Sequence, residues 1–150
     1  MENDLLNKVF LITGASSGIG KATALIAIER GAKVSFVARR ESKLKTLCSK
    51  LSVESFEIIP ADLTKEEDRQ RVVNQTVKRF GGIDVLVNAA GIIGNGTIEN
   101  TTLEFWDNMM DINLRSLFRL TQLALPSIIE RKGNIVNVSS VTGVRAFPNV

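Results

Sequence analysis

The 150-residue sequence contains no histidine and no tyrosine, and it has a single cysteine and a single tryptophan. Without histidine there is no imidazole acid–base chemistry, so a Ser-His-Asp hydrolase is excluded, and most zinc sites go with it. No metal centre is expected. Cys48 alone cannot form an intrachain disulfide, which fits a reducing compartment. No apolar run approaches the roughly 18 residues of a membrane-spanning helix, so no membrane is expected as a partner. The N-terminus MENDLLNK carries Glu2 and Asp4 where a secretory signal would carry lysines, and a cytoplasmic location is expected. The net charge is only +3, and basic residues interleave with acids, as in KEEDRQR at 65–71. That is solvated helix surface, not a nucleic-acid patch.

Hydrophobic residues make up 44% of the chain and charged ones 23%, the balance of a globular domain able to bury a core without staples. Short β-branched runs recur: KVFLIT (8–13), KVSFVA (33–38), SFEIIP (55–60), IDVLVN (83–88) and NIVNVSS (134–140). Each is apolar almost throughout, the pattern of strands buried on both faces. Helical patterns lie between them: GIGKATALIAIERG, ESKLKTLCSKL, TKEEDRQRVVNQTVKRFGG, and a long one from about Thr102 to Arg131. Thr64 followed by Glu67 reads as a capping box, and Gly81 and Gly82 sit where a helix should stop. This alternation predicts right-handed βαβ units and an α/β fold: a doubly wound parallel sheet with helices on both faces.

The long helix carries two apolar stripes. Trp106, Met109, Met110, Leu117, Leu120, Ala124 and Ile128 form one, expected to face the sheet; Leu114, Phe118, Leu125 and Ile129 form the other. A sheet covers only one of them, so the second predicts a partner helix and a homo-oligomer through residues 102–131, or a neighbouring helix of the same chain.

LITGASSGIGKATAL leaves a strand and enters a helix within a few residues, placing Gly14, Gly18 and Gly20 in the turn. Glycines there let backbone approach a phosphate, whose charge the helix N-terminus stabilises; Gly20 also allows close packing of helix on strand.

TGASSGIG (13–20), Asp62 in ADLT, NAAG (88–91), Asn113 within a helix and SSVTG (139–143), in this order and spacing, resemble the short-chain dehydrogenase/reductase family, of the 3-oxoacyl carrier-protein reductase and hydroxysteroid dehydrogenase type. The resemblance covers essentially the whole chain. It implies a Rossmann-type sheet of strand order 3-2-1-4-5 and hydride transfer between a nicotinamide dinucleotide and a carbonyl or secondary alcohol. The pyrophosphate would lie on Gly14, Ser16, Ser17, Gly18, Ile19 and Gly20. Asp62, with Leu63 beside it, would meet the adenine, and Asn88, Ala89 and Gly91 the ribose. Where relatives that prefer NAD end the second strand in an acid, this chain has Ala38 and then Arg39. A guanidinium there, with the Ser16 hydroxyl, suits the 2′-phosphate of NADP, so NADP is expected over NAD. Ser17 stands where many NADP users of the family carry a basic residue.

The resemblance makes Ser140 the residue that hydrogen-bonds the substrate oxygen, and Asn113 the holder of a water in a proton relay. The alternative for Asn113 is a polar residue bonded to neighbouring backbone. Ser139 would be structural, and Arg145 and Phe147 are read as surface loop, with the border of the substrate pocket as the alternative. The family's proton donor is a tyrosine in a Tyr-x-x-x-Lys segment, expected only a few residues past Val150. The 150 residues are therefore expected to be the N-terminal part of a longer protein, one dinucleotide-binding domain without the family's later strands and helices. By themselves they would bind cofactor with negligible turnover. Two other functions fit the same scaffold: a non-catalytic dinucleotide-binding or sensor protein, and an isomerase or dehydratase that retains its cofactor.

Overall fold

The computed structural model describes residues 3–145. Five parallel strands, β1 (Val9–Thr13), β2 (Lys33–Ala38), β3 (Phe56–Pro60), β4 (Val85–Asn88) and β5 (Asn134–Asn137), form one sheet in the order β3-β2-β1-β4-β5. Helices α1 (Gly18–Glu29), α2 (Glu41–Cys48) and α3 (Glu66–Phe80) connect the first four strands. Between β4 and β5 run α4 (Leu103–Met110), a π-helical turn (Asp111–Arg115) and α5 (Ser116–Glu130).

Alternate residues of the central strands point to opposite faces. Phe10, Ile12, Val34 and Phe36 pack with Ala24 and Ala27 of α1 and Leu44 and Cys48 of α2. On the other face Leu11, Val37 and Leu86 pack with Val72 and Val73 of α3 and Leu120, Ala124 and Ile128 of α5. Each face thus has its own core, and the central strands are largely apolar because water reaches neither side. Ser35 is the fully buried polar residue in β2, and its hydroxyl is satisfied by Thr76 at 2.9 Å. The chain reverses direction of winding between β1 and β4, which opens a crevice at the carboxyl ends of the strands.

Four expectations need correction. The capping box does not form: α3 begins after Lys65 with no side-chain cap, and the Thr64 hydroxyl bonds Asp62 instead. Its start is favoured by Glu66, Glu67 and Asp68 in the first turn, which complement the helix dipole. β5 is not buried on both faces, because as an edge strand it leaves Asn134, Val136 and Asn137 exposed. The helix from Thr102 to Arg131 is interrupted by the π turn, and Trp106, expected in the core, is 50% exposed. Gly81 does end α3, in the left-handed conformation (φ 82°), with its N–H on the Val77 carbonyl. Among the described residues no helix is long and apolar enough to cross a membrane.

Candidate functional site

A cleft of about 490 Å³ occupies the crevice at the strand ends. The turn after β1 supplies Gly14, Ser16, Ser17, Gly18, Ile19 and Gly20 to its wall, and the end of β2 supplies Arg39. Asp62 and Leu63 follow β3, and Ala89 and Gly91 follow β4. Eleven of the twelve expected cofactor contacts therefore converge on one cavity. Asn88 does not line it: its amide nitrogen bonds Thr121 (3.1 Å) and Asn137 (2.9 Å), tying β4 to α5 and β5, and its buried Oδ1 has no partner among the described residues.

The glycines act through space and backbone angle. A Cβ on Gly14, where φ is +65°, would lie 2.6 Å from the Ala89 carbonyl oxygen. One on Gly20 would lie 2.7 Å from the Gly14 carbonyl oxygen, so α1 can approach β1 only without it. Thr13 joins the two loops. Its hydroxyl accepts the N–H groups of Ala89 and Ala90, each at 3.0 Å, and donates to Val87 O at 3.3 Å. Ser17 precedes α1 without capping it, so the first-turn N–H groups have no side-chain acceptor among the described residues and offer a set of donors to an anion.

Asp62 is held firmly. Its Oδ1 accepts from the Thr64 N–H (3.1 Å) and hydroxyl (2.8 Å), and its own N–H donates to Asp68 Oδ2 at 2.7 Å. Burial pushes the Asp68 pKa up, but the Asp62 N–H and the Arg71 guanidinium outweigh it and hold that carboxyl below its ordinary value. Oδ2 of Asp62 accepts no hydrogen bond among the described residues. Arg39 is exposed at the rim and makes no ion pair among the described residues. Glycine backbone, uncapped helix donors and a free guanidinium together fit an elongated, multiply charged anion.

Asn113 lies in the π turn and grips Ile92 of the cleft wall, accepting its N–H and donating to its C=O, both at 2.9 Å. This is the backbone-bonding reading of that residue. A π turn rotates the succeeding helix by the one residue it inserts, so Asn113 can face the β4 loop while Leu120, Ala124 and Ile128 face the sheet. Ser140 precedes a single 3₁₀ turn (Val141–Gly143) and its Oγ accepts from Thr142 N (3.2 Å) and Thr142 Oγ1 (2.8 Å). Ser139 and Arg145 are exposed, and Phe147 lies outside the described residues.

Sequence reasoning did not single out Thr13, Ile92, Ile112 or Val138. Thr13 carried a signal, a polar residue ending an apolar strand, and is buried to 1% exposure. The other three are apolar and carried none.

A parallel sheet in this order, with a glycine turn leading into an open helix N-terminus at the switch point, defines a Rossmann-type dinucleotide-binding domain. The chain belongs to the short-chain dehydrogenase family, whose model matches residues 8–150. Membership carries NAD(P) binding in general. An uncharacterized oxidoreductase of Listeria monocytogenes is 42% identical over 145 residues, which cover 95% of this chain and 58% of the relative. One of Staphylococcus aureus is 35% identical over 140 residues, 93% and 61% of the two chains. Among solved structures, a short-chain dehydrogenase/reductase from Brucella melitensis, described as a glucose/ribitol dehydrogenase, superposes with a TM-score of 0.93 at 30% identity, over 99% of this chain and 63% of that one. A short-chain dehydrogenase/reductase of unknown function from Caenorhabditis elegans, solved with cofactor, gives 0.87 at 34% identity over 97% and 57%. The chain thus spans about three fifths of the length of the relatives it matches.

Proposed function

We propose that this chain is the dinucleotide-binding domain of a cytoplasmic, NADP-dependent oxidoreductase acting on a carbonyl or secondary alcohol. The observation that supports it most is the convergence of the Gly14 turn, the uncapped start of α1 and the unpaired Arg39 on one cleft. When bound, the nicotinamide supplies or accepts the hydride. The Gly14–Gly20 turn holds the pyrophosphate, Asp62 Oδ2 accepts from the adenine amino group, and Arg39 with Ser16 takes the 2′-phosphate. Ser140 binds the substrate oxygen. Its Oγ accepts two hydrogen bonds from Thr142, so its own proton is uncommitted and is made a better donor by them. Asn113, through Ile92, fixes the cleft wall. The family resemblance gives the proton-donor role to the tyrosine of a Tyr-x-x-x-Lys segment, and these 150 residues contain no tyrosine.

The stripe Leu114, Phe118, Leu125 and Ile129 is exposed, from 40% at Leu125 to 67% at Phe118 and Ile129, and a second copy of the protein is proposed to cover it.

Following NADPH consumption by the full-length protein against a panel of ketones and aldehydes tests the function. Turnover that falls at least about a hundredfold in Ser140→Ala is expected, the scale of removing one donor to a developing alkoxide. Tight NADP binding without turnover on any carbonyl would instead indicate a binding or sensor protein.

A further inference from the structure

Ser116 is 2% exposed, does not line the cleft, and makes hydrogen-bond contacts to the Leu63 loop and to the π turn. Its Oγ lies 2.7 Å from the carbonyl oxygen of Leu63, in the loop that also holds Asp62. The same oxygen lies 2.8 Å from the carbonyl of Asp111, the first residue of the π turn. A hydroxyl has one proton, so only one of these carbonyls receives it at a time. Neither is orphaned when the proton leaves. Leu63 O also accepts from Arg69 Nη1 at 2.6 Å, and Asp111 O accepts the backbone N–H of Ser116, the bond that closes the π turn. Moving the proton from one carbonyl to the other therefore leaves neither without a donor.

What each arrangement touches gives it meaning. Leu63 lines the end of the cleft assigned to adenine. The π turn carries Asn113, which holds both the N–H and the C=O of Ile92, on the wall after β4. A side chain donating to a carbonyl one turn back bends a helix, so the state of Ser116 bears directly on the π turn. A second strut runs alongside: Glu66 of α3 binds Arg69 and also Arg119, three residues after Ser116.

We propose that Ser116 is a positioning residue whose shared hydroxyl proton couples occupancy of the adenine end of the cleft to the Asn113 clamp on Ile92. This rests on the reading of the cleft as a dinucleotide site. An adenine nucleotide that draws the Leu63 loop toward itself changes that carbonyl's hold on the Ser116 proton, and the π turn tightens or loosens accordingly. By linkage the effect is reciprocal: loosening the clamp alters affinity for the nucleotide.

The test uses 5′-AMP and amide hydrogen exchange of Ile92 in the full-length protein. In the parent, AMP is expected to change the Ile92 exchange rate at least about tenfold, the scale of a typical coupling. Ser116→Ala should bind AMP and leave that rate unchanged on binding, and Ser116→Thr, which keeps a hydroxyl, should restore the response. If Ser116→Ala does not fold, Ser116→Cys, a much weaker donor, takes its place. An AMP response that is equal in the parent and in the variant lacking the hydroxyl overturns the proposal, as does no response in a parent that binds AMP. Failure of the parent to bind AMP at all instead overturns the dinucleotide reading.

Discussion

Asn113 holds Ile92 by both ends: Oδ1 accepts its N–H and Nδ2 donates to its C=O, each at 2.9 Å. The amide thereby replaces a missing secondary-structure partner for the loop after β4 and fixes a wall of the cleft. Asn113→Ala removes both bonds, at about 1 kcal/mol each, and cofactor affinity should fall with stability. Asn113→Asp keeps the acceptor but sets a carboxylate against the Ile92 carbonyl, and should be at least as damaging. Urea midpoints and dinucleotide titration measure both effects.

Two glycines of one turn should respond differently to alanine. At Gly18 (φ +54°) nothing lies within 4 Å of a new Cβ, so Gly18→Ala should cost only backbone strain, about 1–2 kcal/mol. Gly14 carries the same strain and also the 2.6 Å overlap with Ala89 O, adding an overpacking cost on the order of 1–3 kcal/mol. Denaturant unfolding of the two variants should rank them in that order.

Arg39, which makes no ion pair among the described residues, sets the proposed cofactor preference. Arg39→Glu should weaken NADP relative to NAD by more than about tenfold, or 1.4 kcal/mol, in paired equilibrium titrations. An unchanged ratio would remove the case for NADP over NAD.

Glu66 gives a pH signature. Hydrogen bonds from Arg119 first, then Gln70 and Arg69, hold its pKa at about 2 against an ordinary 4.5. Its folded pKa lies below the unfolded one, so this stabilisation is complete above about pH 4.5 and is lost as pH falls toward 2. Glu66→Gln should be less stable than the parent at neutral pH, and the gap should close across that window. A gap that stays constant down to pH 2 would show that the carboxylate is not what binds α3 to α5.

The exposed stripe of Leu114 in the π turn and Phe118, Leu125 and Ile129 in α5 predicts self-association. Phe118→Asp should shift the full-length protein to a smaller species in sedimentation velocity, with unchanged circular dichroism.

Sheet and glycine turn were legible because their signals are local. A strand buried on both faces must be apolar at every position, and a turn that needs φ near +60° at Gly14 and Gly18 selects glycine. β5 misled for the same reason: its residues resemble a central strand, but exposure depends on what lies beyond the edge. The π turn was invisible, since DINLR is an ordinary helical stretch whose extra residue is enforced by Asn113 and Ser116 reaching other parts of the chain. Thr64 illustrates competition between caps: its hydroxyl had Asp62 within reach and did not stay with α3. The site residues missed were Thr13, which joins two loops through its hydroxyl, Ile92, which acts through its backbone, and the cleft-lining Ile112 and Val138, whose apolar side chains sequence cannot separate from core.

The central claim is that the turn after β1 receives a dinucleotide pyrophosphate. Titrating the full-length protein with NADP while following backbone amide shifts measures it directly. Saturable shifts should concentrate at Gly14 and at Ser17 through Gly20, and should be abolished in Gly14→Ala. Binding that leaves those amides unmoved, or no binding by a folded protein, would contradict the claim.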